Sequence, residues 1–218
     1  MPQSQLHGFI IENDIREKVF GLSPEPNNTD THDIPKSLNK FSDNENISIK
    51  TVGGNCICCG DIERFFSYDF SDTNTIVVIK YQQLEETKKI VDIFEIRYDE
   101  ECHNFIWGTI KLDTIKKYVS LVKSIPHGTP DKYYKKTYKN LKKYMEENFN
   151  MNISINPKID SGRQRRVQCS IGNFENKLEN FITYQSTKYT GKPNIYRGQE
   201  IIELFESPKR VRNQKEKH

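Results

Sequence analysis

The sequence predicts an α/β fold, with a central mixed β-sheet flanked by helices and a C-terminal half built from helices and a β-hairpin. Three observations carry this. TIVVIKY at 75–81 is a continuous apolar run bounded by polar residues, the pattern of a strand covered on both faces. ISIKT at 47–51 alternates apolar and polar, the pattern of a half-buried strand. Segments of helical spacing recur on both sides of these strands. The chain has 218 residues, enough to hide roughly 70% of its extended surface in one core.

In chain order, Leu6, Ile10 or Ile11, Ile15 and Val19 predict an amphipathic helix over 6–19. Residues 21–31 (GLSPEPNNTDT) are turn formers and read as a loop. HDI at 32–34 reads as a short strand stopped by Pro35, and Gly53-Gly54 ends the ISIKT strand. Ile62, Phe65 and Phe66 predict a short helix over 60–68, with Asp61 in its first turn. IVDIFEIRY at 90–98 is a second strand beside 75–81. Leu112, Ile115, Val119 and Val122 mark a helix closed near Pro126. Tyr134, Tyr138, Leu141, Met145 and Phe149 form one stripe of a helix over 131–149. Two alternating segments around Asp160-Ser161-Gly162 predict a hairpin over 153–171, with Val167, Cys169 and Ile171 facing inward.

Composition excludes several classes. Apolar residues make up 34%, below the roughly 45–50% of ordinary globular domains. The chain has no Ala but 25 Ile, 24 Lys and 19 Asn, so part of that deficit reflects coding bias. No apolar run approaches the ~20 residues of a membrane span. The opening segment lacks a basic stretch followed by an apolar one, which predicts no secretory signal. Five Cys at low density then read as reduced thiols in a cytoplasmic protein. One domain over 1–206 is expected, with 207–218 as a basic tail that frays.

The net charge of +3 hides an asymmetry. Residues 1–100 carry ten basic and eighteen acidic side chains, and residues 101–218 carry twenty-three and twelve. Carboxylates that hold a cation beside cations that hold phosphates suit a metal-dependent enzyme acting on a polyanion. Two solvated surfaces of opposite sign would give the same numbers.

Within the acidic half, Glu12, Asp33, Lys50 and Glu63 stand out, with Ser48 two residues before Lys50. Their order and spacing resemble the PD-(D/E)XK nuclease superfamily, especially its type II restriction endonucleases. In that family an Asp on one strand precedes a carboxylate two residues before a Lys on the next. Asp33 matches the Asp, Lys50 the Lys and Glu12 the Glu of the opening helix. Ser48 stands where the family usually has Glu or Asp. Some members with S-x-K take the carboxylate from the following helix, and Glu63 fits that pattern.

The resemblance covers about residues 5–81. It implies a Mg²⁺-dependent, site-specific endonuclease for double-stranded DNA, with Asp33 and Glu63 as metal ligands. It also implies a homodimer and a methyltransferase that protects self DNA. A repair or recombination nuclease of the same superfamily and a non-catalytic DNA-binding protein remain alternatives. Each residue also has a plain structural reading: Asp33 a turn cap, Lys50 and Glu63 solvated, Glu12 paired with Arg16.

In the basic half, the hairpin turns Arg166, Gln168 and Ser170 outward, with Asn156 and Lys158 on the partner strand and Arg163 and Arg165 near the turn. A two-stranded ribbon fits the major groove, where Arg reads guanine and Gln or Asn reads adenine. Lys132, Lys135, Lys136, Lys139, Lys142 and Lys143 are candidate phosphate contacts. An ordinary hairpin with a charged outer face is the competing reading. Cys56, Cys58 and Cys59, with Cys102-His103, have poor spacing for zinc and read as buried thiols. His32 is a candidate base beside Asp33, or a loop histidine.

Overall fold

A computed structural model describes residues 3–24, 31–126, 131–159 and 165–206, with side chains from residue 8 onward and without those of 131–133 and 135. The element order is α1 (Gln3–Ile15), β1 (Glu45–Val52), β2 (Cys56–Asp61), α2 (Ile62–Phe66), β3 (Thr73–Leu84), β4 (Thr87–Arg97), α3 (Glu100–Trp107), α4 (Leu112–Lys123) and α5 (Asp131–Asn148). There follow β5 (Ser154–Ile159), β6 (Arg165–Gly172), α6 (Phe174–Lys177), β7 (Ile182–Gln185), α7 (Ser186–Thr190), β8 (Ile195–Tyr196), β9 (Gln199–Glu200) and β10 (Leu204–Glu206). The protein is α/β, with a mixed sheet flanked by helices.

The main sheet runs β1-β3-β4-β10, with β7 also on β4. β1 and β3 are parallel, and the other pairings are antiparallel. Both faces are buried, which is why 75–81 is apolar without alternation. Val77 and Ile79 face α1, whose Ile11 and Ile15 are fully buried together with Ile34 and Ile47. Ile76 and Val78 face the opposite core, shared with β2, α2–α5 and the hairpin. β3, at the centre, holds the two cores apart.

The second sheet has the order β2-β6-β5 and is antiparallel. Its inner face carries Ile57, Ile155, Val167, Cys169 and Ile171, all buried, as the hairpin alternation predicts. A bulge between Cys58 and Gly60 adds one residue to β2. Gly60 adopts φ +83°, a conformation L side chains rarely accept. Gly108, at φ +60°, closes α3, and a Cβ there would collide with the Phe149 carbonyl.

Several expectations change. HDI is not a strand: Ile34 makes one antiparallel bridge to Ile47 before Pro35, which has no N–H to continue the pairing. CICC forms β2, and Cys56 and Cys58 are exposed while Cys59 is buried, because side chains alternate across a strand. The tail 207–218 and the Asp160-Ser161-Gly162 turn lie outside the described residues. Among the described residues, no helix is long and apolar enough to cross a membrane.

Behind α2 sits an aromatic cluster. Phe65 stacks on Tyr98 at 4.7 Å between centroids, and Phe66 meets His103 and Trp107 edge-on. The Tyr98 hydroxyl lies 3.0 Å from His103 Nδ1, accepts from Trp107 Nε1 and donates to the Phe65 carbonyl. Burial pushes the His103 pKa down to about 4. The unfolded chain, with an ordinary His pKa near ~6.5, takes up that proton first as pH falls. The stability that neutral His103 contributes is therefore complete above pH ~6.5 and is lost progressively down to about 4. Urea midpoints should fall between pH 7 and pH 5, and His103→Gln should reduce that fall. An unchanged pH dependence would contradict this placement of His103.

Candidate active site

Asp33 lies in the segment between α1 and β1, and three contacts fix it. Its carboxylate Oδ2 accepts from the Ile49 backbone N–H at 2.5 Å and from Lys50 Nζ at 3.3 Å. Its carbonyl accepts from Arg16 of the π-helical turn Arg16–Phe20 that extends α1, at 2.6 Å. The Ile34–Ile47 bridge then sets the segment against the free edge of β1. The two residues expected from the motif are brought together.

Ser48, Lys50 and Val52 share the face of β1 that looks away from α1. Ser48 is buried, at 1% exposure. Its hydroxyl lies 3.0 Å from the Tyr68 hydroxyl and 3.4 Å from His32 Nδ1. Ser48 therefore holds the pocket wall and is not open to a ligand. A quarter of the Lys50 side-chain surface remains accessible. Burial works against its charge, but the Asp33 carboxylate and Tyr68 outweigh burial and raise the Lys50 pKa. Burial lowers the His32 pKa against the pull of Asp33, and raises that of Tyr68.

Asp33, Lys50 and Tyr68 open into a cavity of about 260 Å³, lined also by Thr31, Cys58, Cys59, Gly60, Asp61, Arg64 and Phe65. Glu63 does not line it. Asp61, the last residue of β2, and Arg64 and Phe65 of α2 stand on the wall, with Ile62 turned into the core. Within α2, Glu63 stands about 200° round from Phe65 at 3.6 residues per turn. Asp61 caps α2, its carboxylate accepting from the Arg64 N–H at 3.1 Å. Asp61, not Glu63, is the carboxylate that lines the cavity together with Asp33. Glu12 does not line the cavity either, since α1 covers the opposite face of the sheet.

Asp61, Arg64 and Tyr68 were not singled out as site residues from the sequence, because a five-residue helix is too short to fix which side chains face the cavity. Asp33 and Asp61 offer hard oxygen donors, and Mg²⁺ usually takes only one or two protein carboxylates, so the donor chemistry fits. Among the described residues, no group of three or more His, Cys, Asp or Glu gathers for a metal ion. His103 is engaged with Tyr98.

On the hairpin, Arg166 and Lys158 are exposed, and Gln168, Ser170 and Asn156 are half-buried on the outer face. Arg165, expected near the turn as a DNA contact, is instead turned inward. It is 9% exposed and donates to the Ile125 and Pro126 carbonyls just past α4, which ties β6 to the segment leaving that helix. Asn156 donates to Ser170 Oγ at 2.7 Å and to the Ser154 carbonyl at 3.3 Å. Arg163 and the side chains of Lys132 and Lys135 lie outside the described residues. Lys136, Lys139 and Lys143 are exposed on α5, and Lys142 and Lys143 approach Glu146 and Glu147.

The Asp33–Lys50 contact has a measurable consequence. In Asp33→Asn, burial is no longer outweighed by the carboxylate's charge and hydrogen bond, so the Lys50 pKa should fall below the ordinary Lys value of ~10.4. Nitrogen-detected NMR titration of Lys50 reads this directly, and an unmoved pKa would rule the ion pair out as its cause. No protein-family model, curated protein or solved structure matches the chain.

Proposed function

We propose that the protein is a Mg²⁺-dependent endonuclease that hydrolyses phosphodiester bonds in double-stranded DNA, of the type II restriction kind. The observation that carries this reading is the Asp33–Lys50 ion pair in a cavity with a second carboxylate, Asp61. The resemblance to the PD-(D/E)XK superfamily supplies the reaction class. The homodimer and the protecting methyltransferase rest on that resemblance alone.

Asp33 and Asp61 would hold the cation. Bound there, Mg²⁺ supplies Lewis-acid charge to the phosphoryl oxygens. Lys50 stays charged at neutral pH, so it acts as a cation and hydrogen-bond donor and not as a proton acceptor. Of its three N–H groups, one faces Ile49 O and one Asp33. The third is left for water or a phosphate oxygen. Arg64, exposed at the cavity wall, adds positive charge for a neighbouring phosphate. Water adds across a P–O ester bond, leaving a phosphomonoester and an alcohol.

Incubation with phage DNA and Mg²⁺ tests the reading. Discrete fragments are expected, and a chelator should abolish them. Loss of a group that stabilises transition-state charge costs roughly 10²–10³ in rate, so Lys50→Ala, Asp33→Asn and Asp61→Asn should each lose at least that much. Glu63→Gln should stay within a few-fold of the parent. A smear in place of fragments would favour a repair or recombination nuclease. Retardation without cleavage would favour a non-catalytic DNA-binding protein and overturn the enzymatic reading. Activity that survives Asp61→Asn but not Glu63→Gln would overturn the carboxylate assignment.

A further inference from the structure

The second sheet joins the cavity to the hairpin in a fixed register. Asp61, on the cavity wall, pairs with Gln168, and Gln168 pairs with Asn156. Directly paired residues of antiparallel strands share a face, with Cα atoms ~4.5–5.5 Å apart. Gln168 therefore stands one strand from a cavity carboxylate, and Asn156 stands two. Successive base pairs are spaced by ~3.4 Å, so the outer face of this sheet lies within a few base pairs of a phosphate held in the cavity.

The two amides differ in what they can offer. Adenine is read through N6 and N7, which requires an amide with both a donor and an acceptor available. Both N–H groups of Asn156 are taken, by Ser170 Oγ and the Ser154 carbonyl. Among the described residues, the Gln168 amide makes no hydrogen bond, and its side chain is half-exposed. One row further toward the turn, Arg166 pairs with Lys158. β2 has already ended there, so these exposed cations border the same face.

Building on the nuclease reading, we infer that Gln168 is a specificity-determining residue that reads an adenine next to the scissile phosphate, with Arg166 and Lys158 holding the flanking backbone. Asn156 braces the hairpin. Recognition and cleavage are then coupled through the Asp61–Gln168 pairing, and cleavage falls inside or at the edge of the recognised sequence.

The test is cleavage of a degenerate duplex library with Mg²⁺, followed by sequencing of the new ends. The parent protein should show an A·T preference within about two base pairs of the break. Gln168→Ala should reduce that preference by roughly 5- to 150-fold, the discrimination of a bidentate base contact, and leave other positions unchanged. Gln168→Glu, which can accept from cytosine N4, should move the preference at that position toward C·G. Arg166→Ala should slow cleavage at all sequences and reduce the salt slope by about one. If both Gln168 variants cleave with the parent's end sequences, the inference fails and the nuclease reading stands. If the affected position lies more than about five base pairs from the break, the coupling fails. If the parent does not cleave at all, both fall.

Discussion

One carboxylate organises the candidate site. Asp33 belongs to no helix or strand, yet Oδ2 accepts from a β1 backbone N–H and from Lys50 together. β1 pairs with β3 on one side only, and its other edge would expose unpaired backbone groups. The Ile34–Ile47 bridge and the Asp33 side chain satisfy that edge at its centre. The same contacts turn Asp33 inward toward Lys50. The contacts that cover the β1 edge are therefore the ones that build the site.

The rest of the wall depends on cores that lie away from the chemistry. α2 is five residues long, below the length at which a helix is stable alone. Its orientation comes from Ile62 and Phe65, seated in the larger core with Tyr98 and Trp107 behind. That orientation aims Asp61, Arg64 and Tyr68 at the cavity. Arg197 is held between Glu45 of β1 and Glu95 of β4 with contacts of 2.8–2.9 Å. Asp92 accepts from Gln185, Ser186 and Thr187. These ion pairs and hydrogen bonds bind the C-terminal segments to β1 and β4.

The legible parts of the sequence were those with long or clean periodicity. The TIVVIKY and IVDIFEIRY strands, the helices at 112–122 and 131–149 and the hairpin alternation all have counterparts in the structure. Segments whose form is imposed from outside were not legible. β2 is a cysteine-rich stretch shaped by pairing with β6, and β7 to β10 are two to four residues long. α3 was hidden because only Cys102, Ile106 and Trp107 of EECHNFIW are buried, too few to mark a stripe. At the site, type and order revealed Asp33 and Lys50. The choice between Asp61 and Glu63 depends on where α2 begins, which is set by tertiary packing. Asn156 illustrates the same limit: its outward placement was readable, but its hydrogen bonds to Ser170 and the Ser154 carbonyl were not.

The account stands or falls on whether Asp33 and Asp61 share a cation. An anomalous difference map from crystals grown with Mn²⁺ measures this without relying on turnover. The account expects a peak in the cavity within coordination distance of both carboxylates, beside Lys50, and its loss in Asp61→Asn crystals. No peak in that cavity, or a peak held by Glu63 or Glu12, would contradict it.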